Sequence, residues 1–416
     1  MRDQWWRAAL WGAVPLTTLA LACMPVLGLR AMVAVIAIWL SILAVRACMD
    51  PVPIARAQVR WCLFLALPFL LMLVDMFRAS DLSIGWKHVE RSASLLLFPA
   101  GFLLLGAPAS KRFRDAMMDL FGLAAVLLAV YANIGVALSE VPPEVKAMPG
   151  YAYNYRAMFS VMTSLHPPYA AYFFLTGSLF QLTRVLDGAK ARAWRIAAVL
   201  LLFVSALLLA SRMPLVAFAV AAILVFLLRL SRSTAIIAAV ALICGSIALA
   251  AVVPSARQRM AEILLGTTSP TVQSEVTSTN IRMPIAHCSA ETIRDHWLVG
   301  TGEANAQATL DDCYRQFDIP LLLDGSYGTH NQLLHWWLCF GIAGPALFIV
   351  YFGALLRHAW QERNSAHLAF LVFLVLCMTT ENLLARQWGV VLFACFNALF
   401  IAGSATDKAT APGQAC

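Results

Sequence analysis

His330 is the residue best placed to do chemistry in this chain. Gly328-Thr329-His330-Asn331 closes the one long polar interval, Ser255 to Trp337, just before an apolar run resumes at Leu333. Imidazole exchanges protons near neutral pH. Held where a polar loop meets a membrane helix, it can reach a water-borne and a lipid-borne substrate together. Thr329 is positioned to cap the following helix, which would put the imidazole in the first turn. There the positive end of the helix dipole disfavours the protonated ring and leaves a nitrogen ready to accept a proton. Such a ring beside a hydroxyl nucleophile is a general base.

Arginines supply the second kind of chemistry. Leu207-Leu208-Leu209-Ala210 runs into Ser211-Arg212-Met213-Pro214 and then into another apolar run. A guanidinium at the edge of hydrocarbon is costly, and its planar fork fits phosphate oxygens two at a time. Pro214 suits the first turn of the next helix, which sets Arg212 near a helix N-terminus, where anions bind. A turn arginine that merely snorkels to the interface would show the same local sequence. Arg282 opens an amphipathic helix, capped by Thr279 or Asn280 and carrying Ile281, Ile285, Ile293 and Trp297. Arg156 follows the cluster Tyr151, Tyr153 and Tyr155. Taken singly, Arg282 and Arg156 read as solvated charges and the tyrosines as interfacial anchors. They become a site if they converge. Asp81 to Arg91 reads as a solvated loop, and His88, His166, His358 and His367 as interfacial residues.

These residues are held by a very apolar chain. Of 416 residues, 61% are hydrophobic and 12% charged, and the mean hydropathy is +0.76, which excludes an ordinary soluble domain. A bilayer core of roughly 30 Å takes about 20 apolar residues per helix, and no barrel-type alternation is present. The expected fold is an all-α polytopic membrane protein with about twelve transmembrane helices and one large helical loop on the outer side. The spans read as 8–29, 31–49, 58–77, 92–107, 113–139, 166–186, 196–210, 213–230, 233–253, 331–357, 366–384 and 388–404. The corresponding units are 1–253 (helices 1–9), 254–330 (loop domain), 331–405 (helices 10–12) and 406–416, a disordered cytoplasmic tail. The first apolar run lacks a cleavage site and is read as a retained anchor.

The net charge of +8 is scattered between apolar runs, which argues for topology rather than nucleic-acid binding. With twelve spans, the arginines and lysines near positions 2–7, 46–60, 111–114, 184–195, 229–232 and 357–363 share one side, the cytoplasm. Both termini then lie inside and the long loop outside. Of ten cysteines, Cys62, Cys244, Cys377 and Cys395 sit in apolar runs as small hydrophobes. Cys288 and Cys313 lie in the loop, where an oxidising compartment would let them pair. No Cys-x-x-Cys or Cys/His spacing of metal type is read, nor a phosphate loop, a dinucleotide fingerprint or an Asp-x-Asp; Asp311-Asp312 is adjacent rather than spaced. The expectation is no metal and no cofactor.

A multi-span chain with Ser211-Arg212 at a helix end, a large loop carrying Arg282, and Thr329-His330-Asn331-Gln332-Leu333 leading into the next span resembles the O-antigen ligases of Gram-negative bacteria. More broadly it is similar to the O-antigen polymerase and ligase superfamily. The resemblance implies a glycosyltransferase of GT-C type in the bacterial inner membrane, with its active site facing the periplasm. It would move O-polysaccharide from undecaprenyl pyrophosphate to the outer-core sugar of lipid A-core, inverting the anomeric centre without ATP or metal. Carried onto this chain, His330 activates the acceptor hydroxyl, Arg212, Arg282 and Arg156 hold the pyrophosphate, and Asn331 assists. Fixed guanidinium groups would then do what a metal does elsewhere. Glu381-Asn382 is assigned to a structural pairing with Arg386. The rival readings are an O-antigen polymerase using the same donor, a protein-directed oligosaccharyltransferase, and an amphiphile transporter, against which the lack of an internal repeat argues.

Overall fold

Peptide groups in a bilayer find no water, so long apolar runs satisfy their hydrogen bonds internally as helices. The computed structural model describes residues 2–51, 53–146, 151–254, 256–257, 281–317 and 319–410, and among them every regular element is helical. The first part of the chain supplies α1 (Arg2–Ala20), α2 (Leu29–Met49), α3 (Arg56–Asp75), α4 (Leu82–Ser92), α5 (Ser94–Pro99) and α6 (Lys111–Leu138). Then come α7 (Pro143–Lys146), α8 (Tyr151–Thr163), α9 (Pro167–Leu186), α10 (Arg192–Leu208), α11 (Arg212–Arg229) and α12 (Arg232–Val252). After the polar interval follow α13 (Arg282–Asp295), α14 (Ala306–Tyr314), α15 (Pro320–Asp324), α16 (Gln332–Phe340), α17 (Ala343–Gln361), α18 (Ser365–Cys377) and α19 (Gln387–Thr410).

Among the described residues, six helical stretches are long and apolar enough to cross a membrane: Leu29–Met49, Arg56–Arg78, Lys111–Leu138, Arg212–Arg229, Arg232–Val252 and Gln387–Ser404. Shorter apolar stretches, Trp11–Cys23 and Ser365–Cys377, accompany them. The protein is therefore an all-helical, multi-pass membrane protein. α9 and α19 form its middle, with Tyr172, Phe173, Phe174, Phe180, Phe396 and Phe400 buried. Phe180 and Phe396 pack at 4.7 Å between ring centroids. α12 faces outward, with Ile237 and Ile247 exposed, the pattern of a lipid-facing helix.

Four expected elements differ. The run 331–357 is two helices, because Gly341 turns the chain at φ +60° and a Cβ there would strike the Leu298 backbone; only glycine meets both demands. The run 92–107 is α5 continued by a π-helical turn, Ala100–Leu104. Asp81 to Arg91, expected as a loop, is largely α4: the Asp81 carboxylate accepts the Ser83 amide at 2.7 Å, and Gly85 and Val89 are buried. The last helix runs to Thr410, so 406–410 are helical rather than part of a disordered tail. Residues 411–416 and the expected caps Thr279 and Asn280 lie outside the described residues.

Helix alternation sorts the charges. Arg184 at the C-terminal end of α9 pairs with Asp115 at 2.6 Å, Arg195 with Asp119, and Arg229 with Asp187 at 3.1 Å. These lie one helix length, about 30 Å, from His166 at the other end of α9. Cys288 of α13 and Cys313 of α14 are joined by a disulfide, Cα to Cα 5.7 Å, 25 residues apart in sequence. Closing a loop of that length removes enough unfolded-state entropy to stabilise this segment by about 3 kcal/mol. Cys313→Ser should therefore make the 281–317 segment cleavable at lower protease concentration. Alkylation before reduction, read by mass, should leave both wild-type cysteines unmodified; free thiols would remove the bridge.

Candidate active site

The chain around His330 is pinned to the segment after α18. Thr329 Oγ1 donates to the Asn331 carbonyl at 2.9 Å and lies 3.0 Å from the Asn382 side-chain oxygen. The Asn331 amide donates to the Thr379 carbonyl at 3.1 Å. Gln332 donates its backbone N–H to the Met378 carbonyl at 2.8 Å and accepts the Leu384 N–H on its side chain at 2.7 Å. Glu381 is thereby set opposite His330, its carboxylate 3.4 Å from Nδ1. Asn331, not Thr329, caps α16, accepting the Leu334 N–H at 3.1 Å. His330 thus precedes the cap instead of lying in the first turn, and its ring is set by Glu381 and the helix contributes less.

Two physical facts make this pair more than packing. His330 holds φ +48°, a left-handed conformation that costs an ordinary side chain about 1 kcal/mol or more and persists where surrounding structure enforces it. Burial alone would raise the Glu381 carboxyl, but the hydrogen bond and charge of His330, with Arg282 and His166 behind it, hold it below the usual carboxylate range. A carboxylate can only accept. In its neutral form the ring can turn an Nδ1 proton toward this carboxylate, which leaves the lone pair on Nε2. Glu381, assigned from sequence to a structural pairing with Arg386, is instead the partner of the histidine.

Arg282 lies within electrostatic reach of Glu381, and Arg156 within reach of His166 beside it. Arg282, at the first residue of α13, is exposed and close enough to Glu381 to stabilise its charge. Ile281, Ile285 and Ile293 are buried beneath that helix, while Trp297 is exposed, at variance with the apolar face expected of it. His166 shares its electrostatic surroundings with Glu381, His330, Arg156 and Arg386. Arg156 donates to the Leu209 carbonyl at 2.6 Å, three residues before Arg212, where α11 begins with Pro214 in its first turn. Ser211, beside it, buries a hydroxyl that has no partner among the described residues. The Tyr172 hydroxyl is likewise buried and unpartnered, and it feels both Glu381 and Arg282. Tyr155, expected as an interfacial anchor, is buried and donates to the Asn133 side chain at 2.6 Å.

Sequence reasoning missed more than Glu381. His88, read as interfacial, faces Glu303 at 3.2 Å; His335 of α16 faces the same carboxylate at 3.1 Å. Burial would raise Glu303, yet His335 first and His88 next outweigh it and hold Glu303 well below the usual range. His367, also read as interfacial, is fully buried against the Asn397 side chain at 2.7 Å. The available signal was polarity inside apolar runs, which spacing alone does not turn into contacts.

Taken together, the fold and this rim describe a multi-pass helical membrane protein with a carboxylate facing a histidine and Arg282 within electrostatic reach of that carboxylate. Residues 197–349 match the family model described as O-antigen ligase, and the resemblance drawn from Ser211-Arg212, Arg282 and Thr329-His330-Asn331 is shown over that segment. No curated protein matches the chain.

Proposed function

We propose that this protein is an O-antigen ligase: a GT-C-type, twelve-span glycosyltransferase of the inner membrane that moves O-antigen polysaccharide from undecaprenyl pyrophosphate to lipid A-core at the periplasmic face. The observation that carries it is the meeting of the His330–Glu381 pair with Arg282, His166 and Arg156 at one end of the bundle. Nε2 of His330 takes the proton of the acceptor hydroxyl as that oxygen attacks the anomeric carbon. The bond from that carbon to the pyrophosphate oxygen breaks on the opposite face, so the centre inverts. Undecaprenyl pyrophosphate leaves with the electron pair, stabilised by Arg212, Arg282 and Arg156. Glu381 steadies the imidazolium, and Asn331 caps the helix that follows the histidine. The Cys288–Cys313 bridge fits an oxidising periplasm.

Purified protein given undecaprenyl-pyrophosphate glycan and lipid A-core should yield a ladder of glycosylated lipid A-core in EDTA, at a rate that added Mg2+ leaves unchanged. Mg2+-dependent turnover would overturn the arginine-for-metal reading. Lengthening of the donor glycan with no lipid A-core present would assign the site to a polymerase instead.

A further inference from the structure

Glu303, His335 and Cys339 form a second cluster that sugar transfer does not use. Glu303 follows the turn Gly300-Thr301-Gly302, which lies on α16 through Thr301 N–H to the Leu338 carbonyl at 2.8 Å and Gly302 N–H to the Cys339 carbonyl at 2.9 Å. The Glu303 N–H donates to Asp75 at 2.7 Å, tying the turn to the end of α3. His335 and Cys339 are four residues apart on α16, so they share a face. Glu303 Oε1 stands 3.1 Å from His335 Nε2, and Cys339 Sγ stands 3.8 Å from the same nitrogen. One donor atom from each of the three residues falls within 4.8 Å of the others. Their exposures are 5%, 8% and 0% for Glu303, His335 and Cys339, so bulk solvent does not reach them.

Hydrogen bonding explains only part of this arrangement. His335 and His88 both face Oε1, whereas Oε2 is buried with no geometric hydrogen-bond partner among the described residues, although the Cys339 thiol, a weak donor, bears on the carboxylate. An orphaned buried acceptor costs about 1–3 kcal/mol or more when charged. A dication would occupy Oε2 and convert the thiol to a thiolate, its proton leaving to solvent. Carboxylate and thiolate together would balance the ion's charge, which suits an apolar interior. Mixed nitrogen, sulfur and oxygen donors select Zn2+; Ca2+ and Mg2+ call for oxygen alone. His88 then holds the ligating carboxylate from outside, as partners of metal ligands do.

We propose that Glu303, His335 and Cys339 bind a Zn2+ ion, with a water completing its tetrahedron, that fastens the 300–303 turn to α16, five residues beyond His330. Two of its ligands, His335 and Cys339, sit four residues apart on α16, and the third comes from a separate segment, so the sequence alone does not bring the three together. The ion is enclosed, so it exchanges slowly, and brief EDTA treatment in a transfer assay does not strip it. The test uses full-length, untagged protein purified in detergent from cells grown with added Zn2+ and analysed by elemental mass spectrometry. The expected result is about one zinc per chain, falling at least tenfold in Cys339→Ser and in His335→Gln. Protein from cells grown with Co2+ should show a thiolate-to-cobalt charge-transfer band that Cys339→Ser lacks. Wild-type protein with far less than one zinc per chain and no cobalt band overturns the site, whether or not the variants fold. Metal content is read without turnover, so failure here leaves the transfer reading standing, and the converse also holds.

Discussion

His330→Ala is expected to reduce transfer by about 10²–10⁴-fold, the range that a positioned general base contributes, with expression and detergent gel-filtration profile unchanged. The folding control matters because His330 sits at φ +48°; alanine tolerates that conformation no better, so the backbone clamp from Thr329, Asn331 and Gln332 must hold it as before. The companion variant is Glu381→Gln, which keeps the shape but offers an amide able to donate as well as accept. The ring is then free to take the other tautomer, with its proton on Nε2, where it cannot accept one from the acceptor. A loss on the order of 10²-fold is expected, by analogy with the loss of tautomer control in a serine-protease triad. In His330→Ala the Glu381→Gln change should add almost nothing, because the carboxylate acts through the ring. Independent, additive losses in the double variant would give Glu381 a separate role and break the pair apart.

Much of the fold was readable because long apolar runs leave few alternatives to helix. Composition marks α2, α3, α6, α11, α12 and α19 directly. Where the reading failed, the deciding forces were tertiary. Gly341 splits a continuous apolar run because the Leu298 backbone presses against it, and nothing within 331–357 announces a neighbour more than thirty residues upstream. α4 looks like a charged loop, but an Asp81 cap and two buried residues make it a helix. In the site, His330 stood out because it lies at a change of polarity. Glu381 did not: its importance comes from the pinning of residues 378–384 to 329–332, a contact between distant segments. Arg156 is a similar case. Alone it is one cation after some tyrosines, and its meaning comes from the Leu209 carbonyl that it holds beside the Arg212 turn.

Arg212→Lys and Arg282→Lys are each expected to cut the turnover rate by about 10²-fold, close to the effect of removing one donor that faces developing charge. Lysine keeps the positive charge, so a purely electrostatic or interfacial role predicts nearly full activity; a role in gripping two phosphate oxygens at once predicts the loss. The distinction is sharpest at Arg282, which is exposed on the first turn of α13, so its replacement removes little packing and the stability of the protein should not move. The fork is needed most when the glycosidic bond is breaking and the pyrophosphate gains charge, so the fall should appear in kcat more than in KM for the lipid donor. A rise in KM alone would make these arginines donor-docking groups that bind ground state and transition state alike. Arg212→Lys at wild-type rate would return that residue to an interfacial turn and leave Arg282, Arg156 and the His330–Glu381 pair to account for departure of the lipid diphosphate. The double lysine variant separates the remaining cases. If both forks grip the same pyrophosphate, the second substitution should cost less than the first, since one misplaced phosphate already loses the geometry that the other fork needs.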